Sequence, residues 1–142
     1  MEFKGISTAL KDGCRLCAFR SDEGLRVIRL ERTGHLNGYG EHLHIEDALA
    51  HANEDYLAGG RRYEEVYGKI YPLHPCGGHE ITSLLDGWIK DGFGFIASWE
   101  NDEVVVELQG VNRFLFSYVK IGRGATLDDA IDEAFNAKEI IR

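Results

Sequence analysis

No stretch of this chain approaches the roughly 20 consecutive apolar residues that a membrane-spanning helix requires, so no such helix is expected. The opening segment Met1-Glu2-Phe3-Lys4-Gly5 lacks the basic region, apolar stretch and cleavage site of a secretory signal, which makes a cytoplasmic location the expectation. Three cysteines leave at least one thiol unpaired, and in a reducing compartment all three read as free thiols. Catalytic signatures are also missing. None of Ser7, Ser21, Ser83, Ser98 or Ser117 stands in a G-x-S-x-G elbow, and no phosphate-binding loop, dinucleotide fingerprint or paired-histidine zinc helix occurs. Carboxylates are plentiful, but on turns and exposed helix faces they act as solvating groups, so neither an enzyme nor a resident cofactor or metal is expected.

Positive charge is in short supply: 16 Lys and Arg stand against 24 Asp and Glu, for a formal net charge of -8. The imbalance is uneven, at -3 over residues 1–58, +1 over 59–79 and -6 over 80–142. A polyanion would be repelled by the last segment, whereas a basic protein or a small ligand would not.

What the chain does contain is a repeat, which bears on architecture before any other feature. Leu10-Lys11-Asp12-Gly13-Cys14-Arg15-Leu16-Cys17-Ala18 aligns with Ile89-Lys90-Asp91-Gly92-Phe93-Gly94-Phe95-Ile96-Ala97. At the same offset Leu25, Val27 and Tyr39 fall on Val104, Val106 and Tyr118; after a three-residue shift, Ile45-Glu46-Asp47-Ala48-Leu49 falls on Leu127-Asp128-Asp129-Ala130-Ile131. Each half is near the lower size limit for independent folding, so the two are expected to lean on each other.

Apolar spacing supplies the elements. Phe3, Ile6 and Leu10 predict a short helix stopped at Gly13. Strands are expected near 14–20, 25–32 and 35–40, with turns at Ser21-Asp22-Glu23-Gly24 and Thr33-Gly34, followed by a helix from Ile45 to Leu57 that buries Ile45, Ala48, Leu49, Ala52 and Leu57. In the second half Ile81, Leu84, Leu85, Trp88 and Ile89 form a helical stripe ending at Gly92. Strands are expected near 93–99, 103–109 and 114–121, and a last helix carries Leu127, Ala130, Ile131, Ala134 and Phe135 behind an N-cap at Thr126. The expected fold class is α+β: an internal duplication of two αβββα units, 1–58 and 80–142, with antiparallel sheets backed by helices. Residues 59–79, with Tyr63, Val66, Tyr67, Ile70 and Tyr71, form an apolar connector expected to pack rather than to be a solvated linker.

Apolar groups also outnumber the places available to bury them. Phe93, Phe95, Ala97 and Trp99 alternate with residues that include Ile96, and Phe114, Phe116 and Tyr118 alternate with Leu115, Val119 and Ile121. Both faces of the second sheet therefore carry large apolar residues while its helices cover one. The surplus face is expected to meet the first unit's sheet, continuously or face to face, or a second subunit.

An αβββα unit whose third strand leads through a Gly-rich turn into a helix resembles the double-stranded-RNA-binding domain. Here the turns are Asn37-Gly38-Tyr39-Gly40 and Ile121-Gly122-Arg123-Gly124. In that family lysines at the start of the last helix meet phosphates, and the loop between the first two strands is a second contact. The matching positions here are Ile45-Glu46-Asp47-Ala48 and Leu127-Asp128-Asp129-Ala130, with Ser21-Asp22-Glu23-Gly24 and Glu100-Asn101-Asp102-Glu103 in the loops, so the charge is reversed and duplex RNA is not an expected partner. The segment from Gly124 to Ala134 also resembles the strand-to-helix segment of HicB-type antitoxins, which block a nuclease toxin. That resemblance implies that an acidic version of this architecture can serve as a protein antagonist.

Candidate chemistry is sparse. Cys14 and Cys17, with His74, Cys76 and His79, have zinc-like spacing, but a strand would point the first two to opposite faces, so buried thiols are expected. His42 and His44 share a face if extended, with His51 in the following helix, but solvent-exposed or capping histidines are expected there rather than a metal, pH-sensing or anion site. A small anionic, nucleotide-like ligand would be sought at the two Gly turns that feed helix N-termini and at the cations near them: Gly38, Gly40, His42, His44, Lys120, Gly122, Arg123 and Gly124, with Arg61 and Arg62 of the connector. Against it, Glu46, Asp47, Asp128 and Asp129 already complement those helix dipoles. The functional expectation is a small acidic non-catalytic protein that acts by occupying a protein partner, such as the basic surface of a nucleic-acid-acting protein, with ligand sequestration as the alternative. Self-association through the surplus apolar face is the other partner expected.

Overall fold

The apolar stripes become helices and the alternating segments become strands in the computed structural model, which describes residues 3–60 and 80–142. In chain order these are α1 (Lys4–Lys11), β1 (Arg15–Arg20), β2 (Arg26–Arg32), β3 (His35–His42), α2 (Ile45–Leu57), α3 (Glu80–Lys90), β4 (Gly94–Glu100), β5 (Glu103–Val111), β6 (Ser117–Gly124), α4 (Leu127–Asn136) and β7 (Ile140–Ile141). The fold is α+β, and the order αβββα occurs twice. Gly13 (φ +97°) and Gly92 (φ +90°) stop α1 and α3 in the left-handed conformation that only glycine adopts without strain. The turn between β4 and β5 places Asn101 and Asp102 at φ +52° and +62°, as a two-residue primed hairpin requires. The connector 59–79 lies, from residue 61 onward, outside the described residues, and so do Arg61, Arg62, His74, Cys76 and His79. No described helix is long and apolar enough to cross a membrane.

The two units share one sheet. Its seven strands run β3-β2-β1-β4-β5-β6-β7, every pair antiparallel, and the units meet where β1 pairs with β4 through Leu16–Ala97, Cys17–Ile96 and Ala18–Phe95. Of the arrangements open to the sequence, the continuous one is realised. All four described helices lie over one face, because a single buried cluster joins Ile6, Leu10, Ile45, Leu49, Leu85, Ile89 and Ile131 to Leu16, Ile28, Leu30, Phe95, Val106 and Leu108 of the strands. The period of two then turns Cys17, Phe19, Val27, Ile96, Val105 and Ile121 to the opposite face.

Several expectations need correction. Phe114, Leu115 and Phe116 belong to the loop before β6, not to its strand, since β6 starts at Ser117. Phe93 precedes β4 and packs on Trp88, with ring centroids 4.9 Å apart. Leu57 and Leu84 are exposed rather than buried, each lying off the core side of its helix. The two halves also align differently within the sheet. Ile28 pairs with Gly40 as Val106 pairs with Gly122, so Val27 and Tyr39 face away from the helices whereas Val106 and Tyr118 face toward them. A one-residue difference in the first hairpin and a longer β3-to-β6 offset move those positions out of register, and a slip of one flips every side chain. The strand β7 has no counterpart in the apolar spacing of the sequence; it pairs Ile141 with Tyr118 and Ile140 with Val119.

Candidate functional site

The two Gly-rich stretches expected as turns lie inside strands, 37–40 in β3 and 121–124 in β6, and their glycines face the helices. A β-carbon on Gly40 would collide with Ala48 O and lie 2.6 Å from Ala52 N. On Gly122 it would collide with Ala130 O and Ala134 N. On Gly38 it would lie 2.9 Å from Leu30 and on Gly124 2.6 Å from Asp129. These glycines let α2 and α4 press onto β3 and β6, with helix backbone where a β-carbon would stand. The cations beside them are engaged elsewhere. Lys120 Nζ donates to Phe135 O (2.9 Å) at the last turn of α4, where a cation complements the helix dipole. Arg123, on the far face of the sheet, lies 3.7 Å from Glu103. The predicted anion-site residues are therefore split between the two sides of the sheet and between its two ends.

His42 and His44 do come together with His51: the rings of His42 and His44 are 5.8 Å apart by centroid, and those of His42 and His51 5.6 Å. His42 Nδ1 accepts from the His44 N–H at 3.2 Å and lies 3.3 Å from Asp47 Oδ2. Contrary to the expectation of exposed or capping rings, His51 is buried, with Nδ1 3.1 Å from Glu41 O, and burial pushes its pKa below 6.5. Burial likewise pushes the Asp47 carboxyl up, against the pull of the three histidines. No group of three or more His, Cys, Asp or Glu with metal-holding geometry occurs among the described residues. The cluster's consequence is a pH dependence. As pH falls below 6.5 the unfolded chain takes up a proton at His51 that the folded chain refuses, so this group's contribution to stability is present above 6.5 and is lost toward its lowered folded value. Asp47 acts with the opposite sign, because its folded form holds a proton better than the unfolded one. Thermal unfolding of His51→Gln at pH 5.5 and 7.5 is expected to show a smaller loss on acidification than the wild type; an equal loss would remove His51 as the cause.

The thiols separate as well. Cys14 is buried in the core just ahead of β1 and Cys17 lies half-buried on the far face, and burial raises the pKa of both.

A side chain not singled out from the sequence ties the units together. Asp86 of α3 accepts from Arg26 Nε (2.9 Å) and Nη2 (3.0 Å) of β2, and from the Ile45 N–H (3.0 Å) at the start of α2. The N-cap residue of α2, His44, makes no side-chain cap. Asp86 thus caps a helix of the first unit from a helix of the second.

The surplus apolar groups collect at one corner. Of the eleven large apolar side chains exposed among the described residues, six are Val111, Phe114, Leu115, Phe116, Ile140 and Ile141, at the β5–β6 hairpin and the β7 edge beside it. Phe114, Leu115 and Phe116 are 64%, 84% and 59% exposed. Asn112 holds this tip: its Oδ1 accepts from both the Phe114 N–H (2.9 Å) and the Phe116 N–H (3.1 Å), and Leu115 adopts φ +65°. The Arg113 guanidinium lies 4.8 Å from the Phe114 ring centroid. The C-terminal end of α4 reaches this corner, since three residues separate it from β7, and that helix carries Asp128, Asp129, Asp132 and Glu133 with no lysine or arginine.

The bare face of the sheet is different in character. Its middle holds a shallow depression of about 440 Å³ floored by Ile96, Val105 and Ile121 and rimmed by Arg15, Arg123, Glu100 and Glu107. Charges there are largely matched on the spot: Arg29 pairs with Glu31, Arg123 with Glu103, and Arg142 with Glu107 at 2.9 Å, while Tyr39 Oη donates to Glu41 (2.8 Å).

No family model, no curated protein and no solved structure matches this chain.

Proposed function

We propose that this chain is a duplicated, acidic, non-catalytic module that binds a protein partner through the apolar corner formed by the β5–β6 hairpin and β7. The observation that carries the reading is the Phe114-Leu115-Phe116 tip: three large apolar side chains held in solvent by Asn112, on a chain with ample sheet and helix in which to bury them. Exposed apolar clusters larger than scattered single residues mark binding surfaces, and aromatic residues on a preformed support lose little entropy on docking. The fitting partner offers an apolar groove for the tip and basic residues for the exposed carboxylates Asp132 and Glu133 toward the C-terminal end of α4. A protein that itself binds nucleic acid has such a surface, which agrees with the reversed charge on a layout resembling an RNA-binding domain and makes antagonism of that protein the expected action. Duplication accounts for the matching close approaches of Gly40 to Ala48 and Ala52, and of Gly122 to Ala130 and Ala134.

Affinity capture tests this. The triple variant Phe114→Ser/Leu115→Ser/Phe116→Ser should fold normally, because all three side chains are exposed, and should lose binding by about 100-fold or more if two of them act as hot spots. Asp132→Asn/Glu133→Gln should weaken the same complex in a salt-dependent way. Undiminished recovery of the same basic proteins by the triple variant would overturn the proposal.

A further inference from the structure

The helix-free face of the sheet calls for an occupant of its own, separate from that of the hairpin. Along β1, β4 and β5 it presents Cys17, Phe19, Ile96 and Val105, with Ile121 beside them on β6, and among the described residues no helix or strand covers them. Polar groups surround this strip, so the face has the apolar centre and charged rim of a protein interface.

We propose that this face is covered by a second copy of the chain, in a two-fold dimer whose sheets stack with the helical layers outside. Three observations select that occupant. The first is charge. The protein carries -8 overall, yet the bare face nearly balances, with Arg15, Arg29, Arg123 and Arg142 against Glu31, Glu41, Glu100, Glu103 and Glu107. On the helical side α4 carries four acidic residues and no lysine or arginine, whereas three of the four carboxylates of α2 are buried. Contact through α4 would set the acidic helix of one copy against that of the other, and contact through the sheets brings no such like-charged cluster together. A strongly basic or strongly acidic partner has no net charge to recognise there.

The second is self-complementarity. A two-fold contact places one patch against itself, so the patch must contain both members of every pair it makes. Arg15 and Glu100, of opposite sign, flank the same apolar floor at Ile96 and Val105, and each can meet its counterpart across the axis. The third is size. Strands spaced about 4.8 Å apart and rising about 3.3 Å per residue give a seven-stranded face of this length roughly 600–800 Å². That is close to the ~800 Å² per partner of a standard stable interface.

The test is sedimentation equilibrium on the full chain from about 1 to 200 µM, a range that covers the micromolar and tighter affinities of interfaces this size. A reversible monomer–dimer equilibrium or a stable dimer is expected. Val105→Glu and, separately, Ile96→Glu put a carboxylate opposite its own copy at the centre of the contact and should shift the protein to monomer by at least 10-fold in dissociation constant. Lys4→Glu, exposed on α1 in the helical layer, should leave the dimer intact. Circular dichroism of each variant confirms folding, and the two separate variants keep the test usable if one fails to fold. A monomer at 200 µM, whether bare or carrying a different protein or a small molecule, overturns the inference. So does a dimer unmoved by both folded variants, or one abolished only by the Phe114-Leu115-Phe116 substitutions, which would assign self-association to the hairpin. Because the hairpin is tested by capture and this face by mass, either proposal can fail without the other.

Discussion

Asp86→Ala is expected to cost about 3 kcal/mol of stability and to lower the thermal midpoint by about 10 °C. The substitution removes three acceptor contacts at once. It strands the Arg26 guanidinium, whose side chain is only 10% exposed and which then keeps the Gly24 carbonyl as an acceptor, and it frees the first N–H of α2. Breaking a buried pair from one side costs more than the pair contributes, because the remaining charge is left desolvated. Asp86→Asn keeps an acceptor for Ile45 and one for Arg26, so about half the loss is expected, while the double change Arg26→Leu/Asp86→Leu should be milder than Asp86→Ala, since no uncompensated charge remains. Urea unfolding of the four proteins measures all of this. A cost for Asp86→Ala below about 0.5 kcal/mol, the size of an ordinary surface change, would show that the contact is not what couples the two units.

The second large effect comes from adding a single methyl group. Gly40→Ala and Gly122→Ala should each destabilise by about 3 kcal/mol or more, at or above the upper end of ordinary overpacking, because the atoms in the way are helix backbone rather than adaptable side chains. To make room, α2 or α4 must rise off the sheet and give up contacts along its whole length. Gly87 provides the opposite case within the same molecule. It lies in α3 with open space where a β-carbon would stand, so Gly87→Ala should stabilise by about 0.5–1 kcal/mol through helix propensity. The same chemical change is thus expected to carry opposite signs at positions that look alike in sequence. Thermal and urea unfolding check both, and equal mild effects at all three glycines would contradict the close helix–sheet approach.

Much of the secondary structure is legible because its signals are local. Ile45, Ala48, Leu49 and Ala52 recur at helical spacing, Gly13 and Gly92 mark helix ends, and Thr126 caps α4 through the Asp129 N–H at 3.2 Å. The start of β6 is not legible, because Phe114-Leu115-Phe116 has the apolar content of a strand, and the Asn112 side chain that turns it into a loop acts through two backbone bonds that composition does not reveal. The glycines of β3 and β6 stand out in sequence, where their spacing suggests a cradle for a phosphate. That they admit Ala48, Ala52, Ala130 and Ala134 of the overlying helices is visible only in the packing.

Capping shows where local reasoning stops. α4 carries its own cap, but the Ile6 N–H of α1 is met by Asn53 Oδ1 of α2 at 3.0 Å, and the Ile45 N–H of α2 by Asp86 of α3. Neither partner lies within 40 residues of the group it satisfies, so no nearby sequence signal points to it.

By itself the sequence determined the α+β class, the repeated αβββα order, the positions of most helices and strands, and the excess of carboxylates, since each depends on residues within a few positions of one another or on composition. Only the tertiary structure decided that the two units join through β1 and β4 into one sheet, which face the helices cover, where the surplus apolar groups emerge, and how Asp86 locks one unit to the other. Those outcomes depend on strand register and on contacts between residues far apart in the chain, and a one-residue slip in register exchanges the buried and exposed faces without changing a single letter of the sequence.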